Sequence, residues 1–225
     1  MKNLDFKAWF ALAALAVAMG VLVFASAGTL SYWQGWVYLV IFFGASALTT
    51  RYLMQKDPAL LERRMSGGPT AEKRPIQKVI MLGASIGFIA LLVVPAVEFR
   101  LYGPGLPVIV SLIGDVLVAV GFYFIFLVYR ENTFTSATIE LAPDQRVVST
   151  GPYAIVRHPM YASAFLYVAG TPLALGSLWG FVPVFVMLPF LIWRMFDEER
   201  FLARNLPGYV DYQKRVRHRL IPFVW

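Results

Sequence analysis

The sequence predicts an all-α integral membrane protein with about six transmembrane segments, and three observations predict it. The chain has 225 residues, 59% of them hydrophobic, with a mean hydropathy of +0.64. A soluble domain carries about 45–50% apolar residues, so the excess must face lipid. Its charged residues, 15% of the total, fall between long apolar runs. Its Lys and Arg residues fall almost entirely on one side of those runs.

Six apolar segments stand out, at 8–27, 33–50, 79–97, 106–129, 160–175 and 178–193. A membrane span needs about 20 residues at a rise of about 1.5 Å each. The first four satisfy this. The last two are short and are separated by Gly176-Ser177, so they read as a tight helical hairpin. Pro172, Pro183 and Pro189 fall within it. Proline removes a ladder hydrogen bond, which in lipid is tolerated beside other helices or a cavity. The hairpin is therefore expected to be kinked, either ordinarily or around a ligand. The first segment also fits a signal peptide, with Lys2, Lys7 and Ala25-Ser26-Ala27. The run is long for that, and a retained helix is expected.

With the N-terminus inside, an even number of crossings places 51–78, 130–159 and 194–225 on the same side. Those stretches and the N-terminus hold every Lys and Arg except Arg100. This is a positive-inside pattern, and it puts both termini in the cytosol. Tyr32, Trp33, Trp36, Trp179 and Trp193 sit where interfacial aromatics belong. The net charge of +7 reads as topology, and no nucleic-acid partner is expected.

Residues 1–225 read as one multi-pass domain, with N-terminal helices and an interfacial loop over 1–100. Asp57-Pro58 starts a short interfacial helix, with Leu60, Leu61 and Met65 on one face and Arg63 and Arg64 on another. Tyr209 to Arg215 reads as a second amphipathic helix after Pro207-Gly208. Between the helices, 130–159 is the longest stretch that is not apolar, and it is expected to fold over something. Residues 135–141 and 146–149 are expected to pair as strands across Pro143-Asp144.

The absence of Cys excludes disulfides and thiolate chemistry, and two His are too few for a His-rich metal cage. No metal is expected. Neither a glycine-rich dinucleotide fingerprint nor a phosphate loop is present. Polar candidates concentrate in two places. Arg157-His158-Pro159-Met160-Tyr161 opens the hairpin, and Arg194 with Asp197-Glu198-Glu199 leaves its far end. Arg194 and Glu198 share a helix face. Three acids at a cytosolic helix exit run against both the helix dipole and the positive-inside rule. They call for a positive partner, either basic neighbours such as Arg157 or a cationic ligand. Asp115, inside a span, reads as structural or as a proton site.

These residues resemble a known family. Gly151-Pro152-Tyr153 with Arg157-His158-Pro159-Met160-Tyr161, then Arg194, Glu198-Glu199 and Leu202, then Tyr209 and Tyr212, are similar to the isoprenylcysteine carboxyl methyltransferase family and its bacterial relatives. The resemblance covers about 105–222, and Asp57 to Arg64 resembles the family's loop. It implies a membrane-embedded methyltransferase dependent on S-adenosylmethionine, in a bacterial cytoplasmic membrane with its site facing the cytoplasm. Carried over residue by residue, it implies cofactor contacts from Thr138, Gln145, Arg146, Val147, Val148, Tyr153, His158, Pro159, Met160, Tyr161 and Glu198. It implies that Arg194 and Glu198 serve catalysis, with Arg194 orienting a lipophilic or small acceptor, carboxylate or thiolate. Ser163, Thr171-Pro172 and Leu206-Pro207-Gly208 depart from the family pattern, and they bear on the acceptor rather than the cofactor. Alternatives are an NADPH-dependent reductase of the sterol reductase type, a proton-coupled transporter using Asp115, and a membrane scaffold.

Overall fold

The computed structural model describes residues 2–225. Its elements are α1 (Lys2–Ala27), α2 (Trp33–Lys56), α3 (Pro58–Met65), α4 (Pro75–Tyr102), α5 (Val108–Glu131), a 3-10 turn at Gly151–Ala154, α6 (Pro159–Ala174), α7 (Phe181–Asn205) and α8 (Tyr209–Arg215). Among the described residues there is no strand. Four helices, α1, α2, α4 and α5, are long and apolar enough to cross a membrane. Large apolar side chains such as Val17, Val40, Leu48 and Phe185 stand exposed along the helices, as lipid contact requires.

Local chemistry starts and stops these helices. Pro58, Pro75 and Pro159 open α3, α4 and α6, where a missing N–H costs nothing. Asp57 caps α3 by accepting from the Leu60 amide at 2.9 Å. Gly208, at φ +81°, makes the turn into α8. The interfacial helix and the C-terminal amphipathic helix lie where the sequence suggests. The pairing expected across Pro143-Asp144 does not form. The dipeptide makes a turn, with Gln145 N donating to Ala142 O and Asp144 at φ +55°, but its flanks run as irregular chain. The Ser and Thr side chains there bond locally instead, Thr138 N to Ser136 Oγ among them, and so compete with a ladder.

α6 and α7 form a hairpin turning at Gly176, which has φ +68°. Ser177 Oγ donates to Glu98 of α4 and accepts from Gly180 N at 2.8 Å, which fixes the turn to the bundle. The two arms pack less on each other than on earlier helices: α6 lies along α5, and α7 along α4. Lipid tails are as apolar as leucine, so helices in a bilayer associate through close fit. Gly114, Gly121 and Gly170 supply that fit between α5 and α6. A Cβ on Gly114 would meet Ala174 N at 2.1 Å, and one on Gly121 would meet Tyr167 Cβ at 2.8 Å. Around Tyr38, Phe42 and Leu92, a buried cluster joins α1, α2 and α4 to the α6–α7 turn.

α7 also corrects an expectation. Its apolar run ends near 193, but the helix continues unbroken to Asn205. Residues 194–199 therefore lie inside a rigid helix rather than at its exit. Asp115 is buried on α5, and neither of its carboxylate oxygens finds a hydrogen-bond partner among the described residues, so it caps no neighbouring helix.

The close approach of α5 and α6 generates a prediction. Gly114→Ala should destabilise by about 1–3 kcal/mol through overpacking against backbone, despite its better helix propensity. Gly20→Ala, where nothing lies within 4 Å, should leave the melting temperature in detergent unchanged or higher. An unchanged melting temperature for Gly114→Ala would contradict the packing.

Candidate active site

At one end of the helices lies a cavity of about 410 Å³, walled by parts of α4 to α7, the 132–148 stretch, the Gly151–Ala154 turn and α8. Its volume falls in the range of about 300–1,000 Å³ typical of small-molecule sites. Thr138, Gln145, Arg146, Val147, Val148, Tyr153, His158, Pro159, Met160, Tyr161, Arg194 and Glu198 all line it. Three separate parts of the chain are thereby brought together. Toward the bilayer the lining turns apolar, with Met81, Ala84, Ile125, Ala164 and Leu191.

The roof is a pair of loops stitched across the opening. Arg64 Nη1 donates to Ser136 O at 2.7 Å, and Arg63 donates to Thr133 O. Thr133 also bonds to Asp57. Lys73 pairs with Glu140 at 3.0 Å, and Glu140 in turn accepts from Thr138 Oγ1 at 3.0 Å. The Lys73 ammonium holds the Glu140 carboxyl below its ordinary range.

Successive helical residues point about 100° apart, so the three acids on α7 go to three different places. Asp197 faces the roof, where Arg74 grips it through two nitrogens at 2.5 and 2.9 Å and Gln77 adds a bond at 2.5 Å. Glu199 faces the C-terminal segment and is buried. Arg157 Nε stands 2.7 Å from it, Arg219 Nε 3.1 Å and His158 Nε2 3.5 Å. Burial alone would raise the Glu199 carboxyl, but His158, Arg219 and Arg157 outweigh it and bring it to about 2. Glu198 faces the cavity. It accepts from Tyr161 Oη at 2.7 Å and forms no ion pair among the described residues.

Arg157 is a tether. Beyond Glu199, its Nη1 lies 3.2 Å from Val216 O and 3.3 Å from Arg217 O, satisfying the open end of α8. Backbone bonds from Arg157 N to His218 O and from His158 N to Arg219 O hold the same strip. The expectation that basic neighbours would meet the acids therefore holds for Asp197 and Glu199, and it leaves Glu198 for something else.

Arg194 lines the cavity but is held by the chain itself. Its Nη1 lies 2.7 Å from both Gln77 Oε1 and Glu72 Oε1, and its Nη2 donates to Ala137 O at 2.8 Å. It makes no salt bridge to Glu198 although the two share a face. Sequence reasoning missed Glu72 and Gln77. Their one signal was an acid and an amide placed among Lys73, Arg74 and Lys78, just before an apolar run. It also left Tyr209 without a role. That residue lines the cavity with a buried hydroxyl that has no partner among the described residues. Burial pushes the Tyr153 and Tyr209 phenols well above their ordinary range, so both stay protonated donors. Tyr153 Oη accepts from Asn132 at 2.9 Å, which leaves its own proton free to donate.

Residues 109–207 match the phospholipid methyltransferase family. The matched stretch runs from α5 to the end of α7 and contains the Arg-His-Pro loop and the α7 acids. It supports the resemblance seen in the sequence at the level of the wider superfamily, and it points to a membrane methyltransferase. The nickel-cobalt-cadmium resistance protein NccN of Alcaligenes xylosoxydans xylosoxydans is 31% identical over 74 residues, which are 31% of this chain and 33% of that protein. The chain thus matches about a third of the length of that relative. Among the described residues, no group of three or more His, Cys, Asp or Glu could hold a metal.

The Glu199 cluster yields a prediction. Removing one partner of a buried pair costs about 3–5 kcal/mol. Arg157→Ala should lower stability by that order and deprotect the 209–219 amides in hydrogen exchange. Lys214→Ala, at an exposed pair with Asp211, should not. A depressed folded-state pKa stabilises fully above the unfolded value of 4.5 and loses its effect as pH falls toward 2. The stability gap between wild type and Glu199→Gln should therefore be constant above about pH 5 and narrow below it. A gap that widened on acidification would contradict the assignment.

Proposed function

We propose that the protein is an integral membrane methyltransferase that takes S-adenosylmethionine in the roofed cavity and methylates a lipophilic or small acceptor. The observation that carries this reading is Glu198, a cavity-facing carboxylate with no cation of its own, beside motif residues that converge on one space. The residues present fit that donor. It carries an ammonium and a sulfonium for which Glu198 is a counter-charge, and a carboxylate for which Arg146 is an exposed cation on the cavity wall without an ion pair. Tyr209 offers an unspent hydroxyl, and Tyr153 an unspent proton. Val147, Val148, Pro159 and Met160 supply apolar walls for a flat ring.

When bound, the sulfonium supplies an already activated methyl group, so neither metal nor strong acid is required. What remains for the chain is alignment and dryness. Tyr161 orients Glu198 through their 2.7 Å bond. The stitched roof excludes bulk water. Arg194 presents N–H donors to the polar head of the acceptor. The apolar end between α4, α6 and α7 suits an acceptor tail entering from lipid. In this reading the chain makes six crossings with both termini and the cavity on the cytoplasmic side, as the charge distribution suggests, and the membrane is a bacterial cytoplasmic one. In this reading 105–222 is the catalytic region of a single domain. A reductase has no comparable support, and Asp115 does not line the cavity.

Loss of a charged hydrogen-bond partner is worth about 1.5–3 kcal/mol. Glu198→Ala should therefore weaken S-adenosylmethionine binding by about tenfold or more, measured by calorimetry in detergent, with the melting temperature retained. Wild-type affinity in that variant would remove Glu198 from the donor site. NADPH binding in place of S-adenosylmethionine would favour the reductase.

A further inference from the structure

Four arginines line the cavity, at 64, 146, 157 and 194, and acids of the chain balance two of them. Glu199 stands 2.7 Å from Arg157, and Glu72 stands 2.7 Å from Arg194. Arg146 is exposed, and the donor's carboxylate uses it in the reading above. Arg64, on α3, is half-buried and makes no ion pair among the described residues. Its Nη1 donates to Ser136 O at 2.7 Å, and its Nε is buried without a partner among those residues. The guanidinium lies over the ring of Tyr129, 5.4 Å from its centre, and so is held in place by stacking as well as by the Ser136 bond. Tyr129 and Tyr167 line the same cavity, and Tyr167 lies within electrostatic reach of both Arg64 and Tyr129. Apolar lining begins beside them. Ile125 is one helical turn from Tyr129 on α5, and Ala164 is three residues from Tyr167 on α6. A fixed positive charge with no counter-ion therefore adjoins an apolar wall within one cavity.

Resting on the methyltransferase reading, we propose that Arg64 seats the acceptor, and that the acceptor is a lipophilic acid whose carboxylate takes the methyl group. With Nη1 on Ser136 O, the Nε–Nη2 edge is left, one of the two-point faces by which a guanidinium holds a carboxylate. Charge interactions strengthen as water is excluded, so an unbalanced cation in a roofed cavity selects for a negative head. In the transfer, a carboxylate oxygen forms the new bond to the methyl carbon as the carbon–sulfur bond breaks. The electron pair of that bond stays on sulfur. Carboxylate and sulfonium become an ester and a neutral thioether, so charge balances and no proton moves. A neutral or ammonium head would leave the Arg64 charge unmatched, and an ammonium would first need a base to take its proton. The apolar wall beside Tyr129 and Tyr167 suits the tail of such an acid.

Decanoate and decanol share a chain length and differ in charge, and they serve as probes in calorimetry on the purified protein in detergent, at about pH 8 where the acid is ionised. Wild type should bind decanoate about tenfold or more tighter than decanol. Arg64→Gln and Arg64→Met both remove the charge. Whichever keeps a cooperative melting transition should lose about tenfold or more in decanoate affinity while S-adenosylhomocysteine affinity is retained. Arg64→Lys keeps a point charge without the fork and should fall between. A purely structural role in the roof would instead weaken both ligands together. Given S-adenosylmethionine labelled in its methyl group, wild type should place label in a base-labile methyl ester of decanoate. No preference for decanoate in wild type, an unchanged preference in a folded charge-removing variant, parallel loss of both ligands, or bound decanoate that takes no label would overturn the proposal. S-adenosylhomocysteine binding to wild type is read on the same samples. Its absence would sink the methyltransferase reading, while the decanoate preference still decides whether Arg64 seats an anion.

Discussion

Three consecutive acids on one unbroken helix organise the loop-covered end of this molecule. Helical geometry sends Asp197, Glu198 and Glu199 in three directions, so one stretch of α7 does three jobs. Asp197 draws in the roof through Arg74 and Gln77. Glu199 draws in the Arg-His-Pro loop and the C-terminal strip through Arg157 and Arg219. Between them Glu198 is left in the cavity, held by a tyrosine and, among the described residues, paired with no cation. Buried ion pairs contribute little net stability because desolvation offsets their attraction, yet breaking one is costly. Their effect here is to fix where the roof and the C-terminal segment sit, and so to define the cavity that Glu198 faces.

The membrane half supplies rigidity by another route. Without a hydrophobic drive between helices in lipid, backbone proximity must do the work, and the glycines of α5 and α6 provide it. That contact places the start of α6, and with it His158 to Tyr161, at a fixed height under the roof. Pairing α7 with α4 sets Arg194 and Asp197 against Glu72 and Arg74, just before α4. The cavity thus forms between two helix pairs, with an apolar end toward lipid and a polar end toward the basic side.

Much of this was legible in the sequence. Apolar run length gave the long helices, and Asp57-Pro58 and Pro207-Gly208 marked both short ones, because caps and turns are local chemistry. The order of Arg157 to Tyr161, then Arg194 and Glu198, picked out residues that do line one cavity. Other features were hidden for physical reasons. α7 runs past its apolar segment because tertiary ion pairs support the polar extension, and hydropathy is blind to those. Thr135 to Leu141 reads as a strand by composition, yet its hydroxyls bond locally. Glu72 could not be matched to Arg194, since the two lie far apart in sequence and the pair depends on how α4 meets α7.

Photo-crosslinking with S-adenosylmethionine labelled in its methyl group, followed by peptide mapping, tests the central claim most directly. Label should enter peptides spanning 138–161 and 191–212, the two stretches that meet around Glu198, and excess S-adenosylhomocysteine should remove it. Label confined to other parts of the chain, or incorporation that the competitor leaves untouched, would contradict a donor site in this cavity.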